Sequence, residues 1–261
     1  MKKIVSISLA TLAIALLSTG CATKKSVVKK PIEVKKHLKH WGYIGEESPE
    51  HWGYLKPEYK MCTEGKNQSP INIRSTKRTP MLPLKIKYAT GSIDFVNNGH
   101  TVQVNFKEGS ELYIDKKIYK LKQFHFHTPS ENTLSKKHFP MEAHLVHATD
   151  DGELAVISIM YSGGFNDNPF ISKFINKLPL TKGSKNSLVK ENLNAFDMMP
   201  EDKHFYRFNG SLTTPPCSEG VLWLILKNPV PISNAQISKF QNVLNHNNRP
   251  VQPINARTIL E

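Results

Sequence analysis

The stretch Gln123-Phe124-His125-Phe126-His127 decides the reading of this chain. Along an extended strand successive side chains point to opposite faces. Gln123, His125 and His127 therefore share one face, and Phe124 and Phe126 point from the other into a core. A second alternating run, Met141-Glu142-Ala143-His144-Leu145-Val146-His147, puts Glu142, His144 and Val146 together and turns His147 to the opposite face. Three neutral imidazoles with a fourth position open form the donor set of a catalytic zinc site. A metal-bound histidine passes its second N–H to a carboxylate, amide or carbonyl. Gln123 and Glu142 stand two residues before His125 and His144, where they can take that bond. The chain has 11 histidines, so any one of them taken alone reads equally well as a strand histidine bonded to backbone.

Working outward, short alternating segments run from Leu84 to Tyr88, Ser92 to Val96, Thr101 to Phe106, Glu111 to Ile114 and Tyr119 to Phe126. Asn97-Asn98-Gly99 and Glu108-Gly109 supply turns between them. Leu154 to Met160 and Val221 to Leu226 are continuous apolar runs, as expected for strands covered on both faces. Helices are few. Asn168-Pro169 reads as a cap and first position, with Phe170, Ile171, Phe174, Ile175 and Leu178 on one stripe. Ser233 caps a second helix that turns Ile237, Phe240 and Leu244 inward. These segments predict one mainly β domain over residues 40–261, with short helices over a central sheet.

The net charge of +13 is unevenly spread: residues 1–20 carry +2 and 22–39 carry +6, leaving +5 for 40–261. A basic surface concentrated outside the domain argues against nucleic-acid binding. Lys2 and Lys3 followed by the apolar run Ile4 to Leu17 read as a signal peptide over 1–20, too short for a stable membrane span. Ser18-Thr19-Gly20-Cys21 resembles a bacterial lipoprotein signal, in which Cys21 takes lipid. Ser18 stands where that signal usually has Leu, and ordinary cleavage is the alternative. Residues 21–39 then form a Lys-rich tether, either resting on anionic headgroups or simply solvated. The expected location is outside the cytoplasm, periplasmic or membrane-anchored. The chain has three cysteines. If Cys21 is lipidated, Cys62 and Cys217 remain to pair in an oxidising compartment; the alternative is two buried thiols.

The motifs as a set resemble the α-class carbonic anhydrases of exported bacterial type. They include Gly65-Lys66-Asn67-Gln68-Ser69-Pro70-Ile71-Asn72-Ile73, Asn97-Asn98-Gly99-His100, the His-x-His strand, Ser130-Glu131 and Glu142 to His147. Gly210-Ser211-Leu212-Thr213-Thr214-Pro215-Pro216 and Asn248-Arg249-Pro250-Val251-Gln252-Pro253-Ile254-Asn255 complete them. The resemblance runs from about His40 to the C-terminus. It implies a large twisted, mostly antiparallel sheet with short surface helices. It also implies reversible hydration of CO2 to bicarbonate by zinc-bound hydroxide, with Zn2+ on His125, His127 and His144.

The remaining roles follow from the same resemblance. Thr213 would accept from the hydroxide and donate to Glu131, which as a carboxylate can only accept. Thr214 would contact bicarbonate, and Val146, Val156, Leu212 and Trp223 would wall the CO2 pocket. His100 would carry protons out through waters ordered by Tyr43, Asn98 and Gln103. Taken singly, Thr213 reads as a strand-end threonine, His100 as an exposed turn histidine, and the apolar residues as core. Two departures stand out: Gln103 where the family often has Asn, and Asn132 where it commonly has His. The competing functional class is a non-catalytic carbonic-anhydrase-like surface protein, which all three histidines disfavour. A physiological esterase lacks an evident acyl pocket. The expected partner is the small substrate, with a tether to membrane and a homodimer left open.

Overall fold

The computed structural model describes residues 40–261; the expected leader 1–20, the tether 21–39 and Cys21 lie outside the described residues. In chain order the elements begin with α1 (Trp52–Leu55), α2 (Met61–Glu64), β1 (Asn72–Ile73), β2 (Lys85–Lys87), β3 (Ser92–Asn97), β4 (Val102–Phe106) and β5 (Glu111–Ile114). There follow β6 (Lys117–His127), β7 (Thr133–Leu134), β8 (Met141–Ala148), β9 (Leu154–Gly164), α3 (Pro169–Ser172) and β10 (Lys185–Ser187). β11 (Phe205–Ser211), β12 (Glu219–Leu226), β13 (Val230–Ser233) and α4 (Asn234–Leu244) end the series.

Eleven of these strands form one sheet with the path β10-β3-β4-β6-β8-β9-β12-β11. Within that sheet, among the described residues, only β9 with β12 and β9 with β13 pair in parallel. The mainly β, mostly antiparallel expectation holds. β6 and β8 lie at the centre, so the two histidine runs are neighbours with covered faces. One face packs the large core, including Phe95, Val104, Phe124, Phe126, Leu145, Phe170, Phe174 and Phe240. α4 closes it: the Ser233 side chain accepts from the Gln236 N–H as the cap, and Ile237, Phe240 and Leu244 are buried. The opposite face carries a smaller cluster that includes Val156, Phe208, Trp223 and Ile225.

Two expectations are corrected. The run from Tyr119 to Phe126 does not alternate without a break. Tyr119 and Leu121 lie in the large core together with Phe124 and Phe126. The change of phase falls where the register with β8 shifts, between Leu121 and Gln123. The extra residue, exposed Lys122, turns the strand over. Without that bulge His125 and His127 would point into the aromatic core. The stripe from Phe170 to Leu178 is also not one helix. α3 stops at Ser172, and a 3-10 turn covers Ile175–Lys177. Phe174 leaves helical dihedrals between them and packs its ring 5.5 Å from Phe95. Tertiary packing of that ring overrides the local helical period.

Candidate metal centre

His125 on β6 lies directly opposite His144 on β8, and His127 lies opposite Glu142. One nitrogen from each of His125, His127 and His144 falls within 4.8 Å of the others. The remaining nitrogen of each ring is occupied. His125 Nδ1 bonds Gln123 Oε1 at 2.8 Å, His127 Nδ1 bonds the Asn247 carbonyl at 2.7 Å, and His144 Nε2 bonds Glu142 Oε1 at 2.8 Å. All three partners are acceptors, so each of those nitrogens carries the proton. The nitrogens facing one another, His125 Nε2, His127 Nε2 and His144 Nδ1, then present lone pairs. His127 Nε2 is buried with no hydrogen-bond partner among the described residues. Burial holds His125 and His127 below the ordinary histidine pKa. An unpartnered nitrogen in a cradle of three lone pairs fits a divalent transition-metal cation that accepts imidazole ligands.

Glu142 is fully buried and accepts five bonds. They come from the N–H groups of Glu131 (2.6 Å) and Asn132 (2.9 Å), the Asn132 side chain (2.8 Å), the Ser158 hydroxyl (2.6 Å) and His144. Burial alone would raise its pKa. The pull of neighbouring His144 and the bonds from His144, Ser158 and Asn132 outweigh that and bring it to about 2. Asn132 therefore completes this network despite departing from the family pattern, while its Oδ1 accepts from the Ile71 N–H.

Glu131 points its Oε2 at the cradle, 3.5 Å from His127 Nε2 and 3.9 Å from His144 Nδ1. Its Oε1 accepts from the Arg249 N–H at 2.9 Å. Burial pushes Glu131 up to about 7, against the pull of His144, the Arg249 N–H and the Thr213 hydroxyl. Thr213 is itself buried, and its influence on Glu131 places the two side chains beside one another. Thr214 lies beside the disulfide: its carbonyl accepts from the Cys217 N–H at 2.9 Å, and Cys62–Cys217 is bonded. Trp223 packs edge-on to His144 at 4.9 Å and donates from Nε1 to the Ser211 carbonyl. Val156 joins Trp223 in the smaller cluster, with Val146 and Leu212 packed against it. The four apolar residues stand together on the histidine face.

The residues expected to serve the proton path are less uniform. His100 is stacked on Trp41, with ring centroids 3.5 Å apart, and on His40 at 4.8 Å. Burial, then the charges of His40 and Lys182, lowers it to about 4. The Asn98 side-chain oxygen is committed to the turn, accepting from the N–H groups of His100 and Thr101. Tyr43 is partly exposed but its hydroxyl is buried, and burial followed by the Glu131 charge pushes that hydroxyl well above the ordinary tyrosine value. Gln103 lies opposite His125 and donates to Asn105 Oδ1 at 2.6 Å. His147 faces the large core and bonds Tyr88 and the Ala155 carbonyl, a structural role as expected.

Sequence reasoning missed several residues. His138 bonds the Ser130 carbonyl, and His204 bonds Asp202. Asn247, 120 positions from His127, accepts from it and donates to the carbonyls of His100 and Phe126. Buried Arg249 bonds the Gln68 side chain and the Ser69 and Cys62 carbonyls. Both lie in or beside the Asn248-to-Asn255 motif, whose many polar residues were the available signal.

The sequence model of the eukaryotic-type carbonic anhydrases matches residues 47–261. A carbonic anhydrase of Klebsiella pneumoniae is 45% identical over 248 residues, 94% of this chain and 99% of that protein. The α-carbonic anhydrase of Thermovibrio ammonificans, solved with the inhibitor sulfanilamide, superposes with a TM-score of 0.83 at 44% identity over 85% of this chain and 99% of its own. That of Photobacterium profundum gives 0.81 at 49% identity over 85% of this chain and 100% of its own.

Proposed function

The chain belongs to the α, or eukaryotic-type, carbonic anhydrase family, and from that premise we propose that it hydrates CO2 reversibly with Zn2+ held by His125, His127 and His144. The single observation that carries this reading is the set of three inward lone pairs, each fixed by an acceptor behind the ring. When bound, the ion supplies Lewis acidity that makes water nucleophilic near neutral pH, chemistry for which this family is the established example.

The chain's own residues do the rest. Neutral imidazoles leave the cation's charge uncancelled, which carboxylate ligands would not. The Thr213 hydroxyl, beside Glu131, would donate to that carboxylate, which can only accept, and Thr213 would then present its oxygen to the reacting oxygen as an acceptor and aim it. Val146, Val156, Leu212 and Trp223 offer CO2 an apolar wall, and Thr214 borders the product side. In its stacked position His100 is too weak a base to hold a proton at neutral pH. It serves as shuttle when its ring leaves Trp41 for solvent, where the ordinary histidine value applies. Tyr43, Asn98 and Gln103 order the intervening water. Export, with Cys21 lipidated and residues 21–39 as tether to domain 40–261, completes the proposal.

The test is CO2 hydration by the purified chain before and after chelation and after zinc return. Activity that disappears and comes back with zinc supports the reading. A folded, zinc-loaded chain without turnover overturns it and favours the binding-protein class.

A further inference from the structure

On the histidine face a row of hydrogen bonds leads from the surface to Gln103. The Lys185 ammonium lies 2.6 Å from Asp94 Oδ2. Asn105 Nδ2 donates to Asp94 Oδ1 at 2.7 Å, and Gln103 Nε2 donates to Asn105 Oδ1 at 2.6 Å. The sheet register makes the row possible. Asp94 on β3 pairs with Asn105 on β4, and Gln103 and Asn105, two apart, pair with His125 and Gln123 on β6. All four polar groups of β4 and β6 therefore share one face. Asp94 is buried, with 4% exposure.

The row has only one self-consistent direction. An ionised carboxylate accepts and cannot donate. Asn105 must turn its NH2 to Asp94, which leaves its carbonyl to receive the Gln103 NH2. The Gln103 carbonyl oxygen is then the end of the row. We propose that Asp94, acting through Asn105, is a positioning residue that fixes the Gln103 amide with its carbonyl oxygen presented as an acceptor beside His125. An acceptor at that place orients an O–H donor, which in this site is a water of the proton path. Nothing in the row touches the cradle nitrogens, so its effect falls on proton release and not on metal binding. The inference rests on the CO2-hydration reading for its kinetic consequence, though not for the amide orientation.

The test substitutes Asp94→Asn, which keeps shape but lets residue 94 donate as well as accept, so the row can reverse. In 15N-resolved NMR of the zinc-loaded chain, the Gln103 side-chain NH2 gives one slowly exchanging pair. In the variant it broadens or doubles as the amide samples both orientations. In CO2 hydration at low buffer concentration kcat falls by about threefold, small beside the 100-fold that a 1 Å misplacement can cost. The ratio kcat/KM falls less, and added small buffer restores kcat by bypassing the ordered water. Lys185→Gln leaves the carboxylate in place and should preserve the Gln103 signal. Gln103→Leu should show the same buffer-dependent loss, with no further loss on adding Asp94→Asn. An unchanged Gln103 signal in Asp94→Asn overturns the orientation argument even if the variant is less stable. Additive losses in the double variant, or a kcat unmoved at low buffer, overturn its role in proton release. An unsubstituted chain with no turnover would instead strike at the functional reading, leaving the NMR result to decide the orientation.

Discussion

Glu142→Gln perturbs one atom in the network behind His144, and the hydrogen bonds around it dictate what must follow. The carboxylate receives two donors on Oε2, from the backbones of Glu131 and Asn132, and three on Oε1, from Asn132, Ser158 and His144. A Gln amide has a single oxygen. The arrangement that keeps both backbone bonds turns its NH2 toward the three side-chain donors. Ser158 can rotate its hydroxyl and accept. Asn132 cannot flip without losing the bond from the Ile71 N–H to its Oδ1. His144 can accept at Nε2 only by moving its proton to Nδ1, the nitrogen that faces the other two rings. The same proton would then have to be displaced by the metal. Loss of such a partner behind a ligand weakens metal binding about 10- to 100-fold, or roughly 1.4–2.7 kcal/mol. The opposed Asn132 donor adds about 2 kcal/mol to the apo protein's loss, which lowers Tm by roughly 4–8 °C for a domain of this size. Chelator competition measures the first and calorimetry of the apo chain the second. Ser158→Ala is the control, since it removes a donor without touching the His144 tautomer and should leave affinity within about threefold. Zinc binding by Glu142→Gln within a factor of about two of the unsubstituted chain, well short of the loss expected for such a partner, would refute the tautomer argument.

Reducing Cys62–Cys217 opens a loop spanning 155 residues, and the chain-entropy model puts the loss at up to about 5 kcal/mol; equal melting temperatures with and without reductant would contradict it. His147 is buried and held at about 4, chiefly by burial. Its folded value lies below the unfolded value near 6.5, so the unfolded chain binds more protons between those pH values. Stability is full above about 6.5 and is lost toward pH 4, by about 3 kcal/mol. His147→Leu should flatten urea midpoints over that range, and an unchanged pH slope would count against the assignment. Thr213→Val should lower kcat/KM roughly 100-fold with zinc still bound, since it removes an aiming hydroxyl while keeping shape; a loss below about fivefold would remove Thr213 from the reaction. His100 should titrate near pH 4 by NMR while stacked on Trp41 and rise toward the ordinary value in Trp41→Ala; identical titrations would show that the stack does not set it.

The period-two pattern of β6 and β8 determined by itself which histidines share a face and which residues sit behind His125 and His144, because alternation and the i−2 relation are local. Gln123 and Glu142 were legible for that reason, as were the caps at Asn168 and Ser233. The motif set carried the membership of the family, and with it His125, His127, His144, Glu131 and Thr213. Other features depended on contacts between distant segments. The bulge at Lys122 decides which side of the sheet the imidazoles face, and it exists only in pairing with β8. Asn247 behind His127, Arg249 behind Glu131 and Trp41 over His100 join positions that only the folded chain brings together. Residue type determined what each group can donate or accept; the tertiary structure decided which partner it meets, and so the direction of each hydrogen bond and the tautomer of each ring.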